Sequence, residues 1–331
     1  MKNFLTHLAS PLFFEHVCQH FSLGTFLQSE EISNGLLHHV WRIQTTQGEF
    51  AVKLLNSAIK KLQGHKILGY DQSQHIAAQM QKRGIPAVGA IPVKVNSRLS
   101  YLLNTDSGRI MVHPWVNGRN DISITNLHAA AIGRLLGQIH NLQLSAAQFA
   151  SPLWGVYSSA QWRRLLHEIS QAQIPELTFL AEKLDWLVDL SAEAQQAFTL
   201  LNSNLILSHR DLNPKNILWQ DNAAPWLIDW EYAGPINPQL ERFIVACNWS
   251  NITTQNPNKN LFQEVMAGYA SEVQSTAKIF PEKTVLAGYA GYVLDWIIFN
   301  CRRAINMPLQ RPSSIEEVRG SLRALDNADA F

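Results

Sequence analysis

The sequence predicts an α+β protein in which an antiparallel sheet with one accompanying helix precedes a mainly helical region. Three observations carry this expectation. From Thr25 to Leu55 the chain reads strand, turn, strand, turn, strand, with Ser33-Asn34-Gly35 and Thr45-Thr46-Gln47-Gly48 as the turns. After Ser123, Leu127, Ala131, Leu135 and Ile139 recur every four residues, with Ile132 and Leu136 beside them, as on one face of a helix. Further on, Leu205 to Tyr232 forms two apolar strands whose polar residues stand at their ends.

A chain of 331 residues is long for one core and suits two lobes. A formal charge of +1 without a basic run argues against nucleic acid as the main partner. Charged residues make up only 16%, whereas roughly 25% is typical, and there are ten Trp, which suits a deep and partly apolar pocket. Cys18, Cys247 and Cys301 are odd in number and far apart, with no metal-ligand spacing, so a reducing compartment is expected. Near the start, His7, Pro11, Glu15 and His16 interrupt any signal-like apolar run, and no uninterrupted run approaches the ~18 residues of a membrane span. The expectation is a short amphipathic helix in a cytoplasmic protein with no membrane partner.

Taken in order, the third strand places Phe50, Val52 and Leu54 on one face and Ala51, Lys53 and Leu55 on the other. Lys53 is thus a cation embedded in an apolar strand: either its head reaches water at an edge or it has an anionic partner, because a bare buried ammonium is costly. A helix is expected from Asp71, where Asp71-Gln72-Ser73-Gln74 has capping-box form, to Gly84-Ile85-Pro86. Strands resume at 91–95, 100–103 and 109–112, with a turn at Asp106-Ser107-Gly108. His113-Pro114-Trp115-Val116-Asn117-Gly118 reads as a constrained linker followed by a flexible point. The helix after Ser123 ends near His140, a core histidine; further helices are expected over 159–170, 176–190 and 192–201, near Pro238 and over 284–305. On the last, Tyr292, Asp295, Trp296, Phe299 and Arg303 share a face, either a substrate wall for a cationic group or core packing, and Trp249 carries the same two readings.

The stretch Leu205 to Tyr232 carries the chemistry. Asn216 to Gln220 and Pro225 to Asp229 read as a hairpin around Asp221-Asn222-Ala223-Ala224. A turn centred between Asn222 and Ala223 makes Asn216 and Asp229 cross-strand neighbours, with Cβ atoms roughly 4.5 to 5.5 Å apart. Two oxygen donors at that separation can share one hard cation such as Mg²⁺, which typically takes one or two protein oxygens. A slip of one residue would separate them. Upstream, His209, Arg210, Asp211 and Asn216 fill all four fixed positions of the H-R-D-x-x-x-x-N loop, in which the Asp accepts a proton from a substrate hydroxyl and the Asn holds metal.

HRDLNPKNIL followed by LIDWEYAG resembles the aminoglycoside phosphotransferase and choline kinase superfamily, small-molecule kinases with a protein-kinase-like fold, and is closest in wording to its choline and thiamine kinase branches. The resemblance implies a bilobal protein-kinase-like fold with a five-stranded antiparallel N-lobe sheet and one helix, over residues 1–116, and a helical C-lobe over 117–331 that holds the catalytic loop and the metal-binding hairpin, with the hinge at 112–118. It implies ATP and Mg²⁺ as cofactors and a small-molecule alcohol as partner, cationic ones among the candidates. By resemblance, Asp211 is catalytic and Asn216 and Asp229 hold metal. Lys53 on its Ala51-x-Lys53 element, the Asn34-Gly35 turn and the backbone near Val112, His113 and Trp115 bind the nucleotide. Glu231 lies near metal or substrate, or is an exposed hairpin-end carboxylate; Trp249, Asp295 and Trp296 remain candidates for the acceptor.

Three departures stand beside these expectations. Protein kinases pair the strand lysine with a Glu from the following helix, but between Lys53 and Pro86 the only carboxylate is Asp71. Either Asp71 or Gln74 is then the partner, unless Asp71 is only an N-cap. His38 and His39 stand where the family carries an Asn after the phosphate turn, and Asn237 to Phe243 offers only Glu241 in place of a second Asp motif. With no room for an activation loop after Asp229, Arg210 is expected to be structural. The rival expectations are a nucleotide-binding pseudokinase scaffold and a protein kinase; the missing Asp-Phe-Gly and Ala-Pro-Glu sequences argue against the latter.

Overall fold

The alternation read over residues 48–55 is realised in a five-stranded antiparallel sheet. The computed structural model describes residues 10–32, 38–56, 62, 69–220, 224–273 and 279–331. The chain divides into two units: Met1–Lys61, Leu68–Asp121 and Lys215–Ala233 form the first, and Leu62–Ile67, Ile122–Pro214 and Gly234–Phe331 the second.

In the first unit, helix α1 (Pro11–Phe21) starts at Ser10, whose side chain accepts from the Phe13 N–H, with Pro11 at the first turn where its missing donor costs nothing. Strands β1 (Phe26–Ile32), β2 (His39–Thr45) and β3 (Gly48–Leu55) follow. Helix α2 (Tyr70–Lys82) begins one residue before Asp71. Asp71 is not its cap, because Asp71 Oδ1 accepts from the Tyr101 N–H (2.6 Å) and the Ser100 hydroxyl (2.9 Å). That contact diverts the backbone from the ladder, so the single strand expected over 100–103 becomes two. A ribbon of β4 (Val93–Val95) and β5 (Arg98–Ser100) turns at Asn96 and Ser97, both at positive φ as an I′ turn requires. Next come β6 (Leu103–Thr105) and β7 (Gly108–Pro114), which complete the sheet order β1-β2-β3-β7-β6. One face of β3 sends Val52 and Leu54 into a core with Phe14, Val17, Trp41 and Ile110. The other face carries Leu55, packed with Tyr70 and Met111, and Lys53.

The second unit is helical. Helix α3 (Asn126–Asn141) is capped by Thr125 and buries Ile132, Leu135, Leu136 and Ile139, but Leu127, expected on the same stripe, is 81% exposed at its first turn. Helix α4 (Ser159–Gln171) opens with a capping box between Ser158 and Gln161. The two helices expected over 176–190 and 192–201 are instead a short 3₁₀ helix (Pro175–Ala181) and a continuous α5 (Leu184–Leu201), since buried Ser191 accepts from Trp162 Nε1 (2.9 Å) rather than breaking the helix.

Strand β8 (Ile206–Ser208) leads to the motif loop. The hairpin of β9 (Ile217–Gln220) and β10 (Ala224–Leu227) belongs to the first unit. It is bonded on one side to residues 86–88, with Leu227 as partner, and on the other to Arg119, which exchanges two 2.9 Å bonds with Trp219. Gly118 allows that approach, because a Cβ there would stand 2.9 Å from Leu218 Cβ. Gly118 is therefore needed for space beside the hairpin. Strand β11 (Gly234–Ile236) pairs with β8 in the second unit.

Helices α6 (Pro238–Trp249), α7 (Lys259–Glu272), α8 (Glu282–Asn306) and α9 (Arg311–Ala328) complete the second unit. Gly133 of α3 and Gly268 of α7 let these helices touch backbone to backbone, as an added Cβ would come within 2.1 to 2.2 Å of a carbonyl oxygen. Helix α8 is long and apolar enough to cross a membrane by length and composition alone, but 72% of its apolar window is buried, among α4, α5, α6 and α9. The three cysteines are buried and free.

Candidate active site

In the first unit the charged residues of the motif converge on β3. Asp229 follows the β10 ladder at φ 62°, ψ 51°, a left-handed conformation uncommon for a non-glycine residue. The one-turn helix Trp230–Tyr232 comes next, anchored by the buried Trp230, whose Nε1 donates to Leu227 O (2.9 Å). Lys53 Nζ donates to Asp229 Oδ1 and forms a second ion pair with Glu231 Oε1 at 2.5 Å. Glu231 Oε2 lies 3.1 Å from His38 Nε2. Since His38 Nδ1 accepts from the Asn56 N–H (3.0 Å), the ring proton sits on Nε2 and is donated to Glu231.

The electrostatics follow from this arrangement. Burial works against the Lys53 ammonium, but Asp229 and Glu231 outweigh it and raise its pKa above the usual lysine range. Burial likewise works against the Glu231 carboxylate, yet Lys53 and the His38 hydrogen bond hold it well below the usual range. Both groups are therefore charged at neutral pH. Tyr70 is raised to about 12 by burial and by Glu231, and His113 is lowered to about 4 by burial and by the charge of Lys53.

Several expectations change here. The ladder pairs Gln220 with Ala224 and Ile217 with Leu227, one residue away from the expected register, because the three residues 221–223 separate the paired ends. Asn216 consequently stands opposite Ile228, whose N–H donates to Asn216 O (3.0 Å), and not opposite Asp229. The left-handed turn at Asp229, rather than strand alternation, aims that carboxylate. Neither Asp71 nor Gln74 serves Lys53: Asp71 holds residues 100–101, and Gln74 Oε1 accepts from the Ala90 N–H (2.9 Å). Glu231 is a buried ion-pair member, not an exposed end. Ala51, Val112 and His113 lie on the paired strands β3 and β7. Of the expected hinge groups, Val112 O accepts from Ile91 N–H (2.7 Å) and Trp115 N–H donates to Glu49 O (3.0 Å), so both already have protein partners. Asn34 and Gly35, like the turn residues 221–223, lie outside the described residues.

The second unit holds the loop 209–214. Arg210 sits at φ 67°, and a strained backbone of this kind persists only where its surroundings hold it. Here the Arg210 N–H donates to Glu241 Oε1 (2.7 Å), while Glu241 Oε2 lies 2.7 Å from His140 Nε2 and His140 Nδ1 lies 2.8 Å from the Tyr269 hydroxyl. Burial opposes the Glu241 carboxylate, but the His140 and Arg210 bonds keep its pKa below the usual range. The Arg210 guanidinium lies 4.6 Å above the Trp154 ring. Asn213 Nδ2 donates to Asp211 Oδ1 (2.7 Å).

Trp249, a candidate for the acceptor wall, is fully buried and donates from Nε1 to Leu212 O (3.0 Å), so it supports the loop instead. Trp296 is half-buried, stacks on Phe299 and donates to Glu317 Oε2 (3.1 Å), which commits its polar edge to α9. Asp295 is half-buried and, with Asp211, raises the pKa of Tyr292 in addition to the larger effect of burial. The roles of Glu241, His140 and Trp249 were not readable from spacing, since their partners are distant in sequence.

Comparison with known proteins gives the family and the fold. The profile of the Phosphotransferase enzyme family matches residues 29–273. A homoserine kinase of Xanthobacter autotrophicus is 25% identical over 225 residues, 68% of this chain and 65% of that protein. The chain thus spans about three fifths to two thirds of the length of the curated relatives it matches. Among solved structures, a spectinomycin phosphotransferase in complex with ADP and spectinomycin superposes with a TM-score of 0.64 at 12% identity, covering 97% of this chain and 98% of that one. A choline kinase from Cryptosporidium parvum Iowa II gives 0.55 at 14% identity, covering 97% and 94%. These likenesses establish the kinase-like α+β fold.

Proposed function

The chain belongs to the phosphotransferase enzyme family, and we propose that it is an ATP- and Mg²⁺-dependent kinase that phosphorylates the hydroxyl of a small amino alcohol. The observation that carries this reading is the buried Lys53 ammonium held on the carboxylates of Asp229 and Glu231. The donor set fits a nucleotide-borne cation: Asp229 and the Asn216 amide offer hard oxygen, and the Lys53 ammonium already occupies Asp229 as a cation. Mg²⁺-ATP, when bound, supplies the electrophilic γ-phosphoryl group and the charge that neutralises its transfer.

The residues divide the work. Asn216 and Asp229 hold the cation, and Lys53 binds phosphate oxygens. The backbone of β3 and β7 around Ala51, Val112 and His113 supports the nucleotide. Asp211 orients the acceptor hydroxyl and accepts its proton, with Asn213 restraining one carboxylate oxygen. Positioning and charge neutralisation dominate such a reaction, which agrees with a loop pinned at Arg210 and Leu212. The amino-alcohol class is supported by the homoserine kinase relatives and by Asp295, whose charge acts near Tyr292 and Asp211 and favours a cationic acceptor.

The test is an ADP-release screen with Mg²⁺-ATP against homoserine, choline, ethanolamine and spectinomycin, run beside Asp211→Ala. Acceptor-dependent turnover with an amino alcohol, reduced at least ~10²-fold in the variant while nucleotide binding persists, is expected. Folded protein with no acceptor-dependent ADP release would leave the scaffold reading, and turnover unchanged in Asp211→Ala would sink the mechanism.

A further inference from the structure

We infer that Glu231, with His38 behind it, is the positioning group for Lys53, and that it replaces the helix carboxylate that kinases use for this purpose. The inference rests on the kinase reading above but is argued from the chain's own contacts. Helix α2 carries no glutamate, its one acid holds Ser100 and Tyr101, and its buried Gln74 holds Ala90. Lys53 instead meets two carboxylates, both from the segment after the hairpin.

The two differ in exposure and in what holds them. The Asp229 side chain is 44% exposed and is the one open to an incoming cation. The Glu231 side chain is 10% exposed and fixed from behind, because the His38 Nε2–H is donated to Oε2 while Oε1 faces Lys53. The Asn56 N–H on His38 Nδ1 sets that tautomer, so a backbone group of the residue following β3 orients the whole relay. With Asp229 given over to a metal ion, Glu231 would remain to hold Lys53 in its aim. Helix α2 packs against the Trp230–Tyr232 turn, which keeps the glutamate at the site although its sequence position has moved.

The experiment compares wild type, Glu231→Gln, Glu231→Asp and His38→Ala in two ways. In the nucleotide-free protein, competitive acetylation with acetic anhydride followed by mass spectrometry reads the exposure of the Lys53 amine. In steady-state kinetics, the KM for ATP is read against the KM for the acceptor. Glu231→Gln is expected to raise Lys53 acetylation several-fold relative to the other lysines and to raise the ATP KM by about tenfold, the scale of one lost charged hydrogen bond, with the acceptor KM unchanged. Glu231→Asp should recover part of both effects and His38→Ala should show a weaker form of both. Acetylation and ATP KM both unchanged in Glu231→Gln overturn the inference. Should that variant not fold, unchanged values in His38→Ala do the same. Acetylation requires no turnover, so it decides the role of Glu231 even if no acceptor is ever phosphorylated and the kinase reading itself fails.

Discussion

Two buried glutamates, one in each unit, are built alike and do different things. Glu231 and Glu241 are each held through Oε2 by the Nε2 of a histidine far away in sequence, His38 and His140 respectively. In the first case the remaining oxygen meets the side-chain cation of Lys53; in the second it accepts a backbone N–H, that of Arg210. A carboxylate facing a side-chain ammonium can aim it at a phosphate. One facing a strained backbone amide can only hold a loop in place. The same pair of residue types thus yields a working group in one unit and a strut in the other, and the difference lies wholly in what the second oxygen touches.

Glu241→Gln tests this contrast most severely. Its loss leaves buried partners imperfectly paired, and unfolding by urea is expected to show about 2 kcal/mol less stability than wild type. Glu231→Gln should cost clearly less in the same assay, because Lys53 keeps Asp229. Equal losses would break the comparison.

A similar size of effect is expected from pH. His113, beside Lys53, has a pKa lowered to about 4, so the unfolded chain takes up a proton before the folded one does. Its contribution to stability is complete above its usual value near 6.5 and is lost as pH falls from there toward about 4, a decline of about 3 kcal/mol at most. Glu231 and Glu241, with depressed values, act lower, below the usual carboxylate range. Stability curves of His113→Gln should therefore diverge from wild type between pH 6.5 and 4.5, and coincident curves there would remove His113 from the first cluster. The smallest effect is expected for Trp249→Phe, which keeps most of the ring but loses the bond to Leu212 O, at about 1 kcal/mol. Its cost should fall on the loop in the second unit, with the ATP KM unmoved.

Much of this was legible in the chain. Turn residues and period-two alternation marked β1 to β3 and put Lys53 on the face away from Val52 and Leu54, where it is found. Helical spacing located α3 and α8 to within a few residues, since periodicity is a local property. It misjudged the first turn of α3, where Leu127 lies beyond the partner that covers the rest of the stripe. Register failed by one residue because it depends on whether the loop holds an odd or even number of residues, which composition does not state.

By itself, then, the sequence determined strands β1 to β3, helices α3 and α8 and the motif that joins Asp211, Asn216 and Asp229. Those depend on spacings of a few residues, within which backbone periodicity and turn chemistry act directly. Only the tertiary structure decided which carboxylates Lys53 meets, that Asp71 serves a loop, that Trp249 is a strut and that Glu241 carries the Arg210 amide. Each of those partners is chosen by packing across a long stretch of chain, 176 residues from Lys53 to Asp229 and 193 from His38 to Glu231, and no local preference reaches so far.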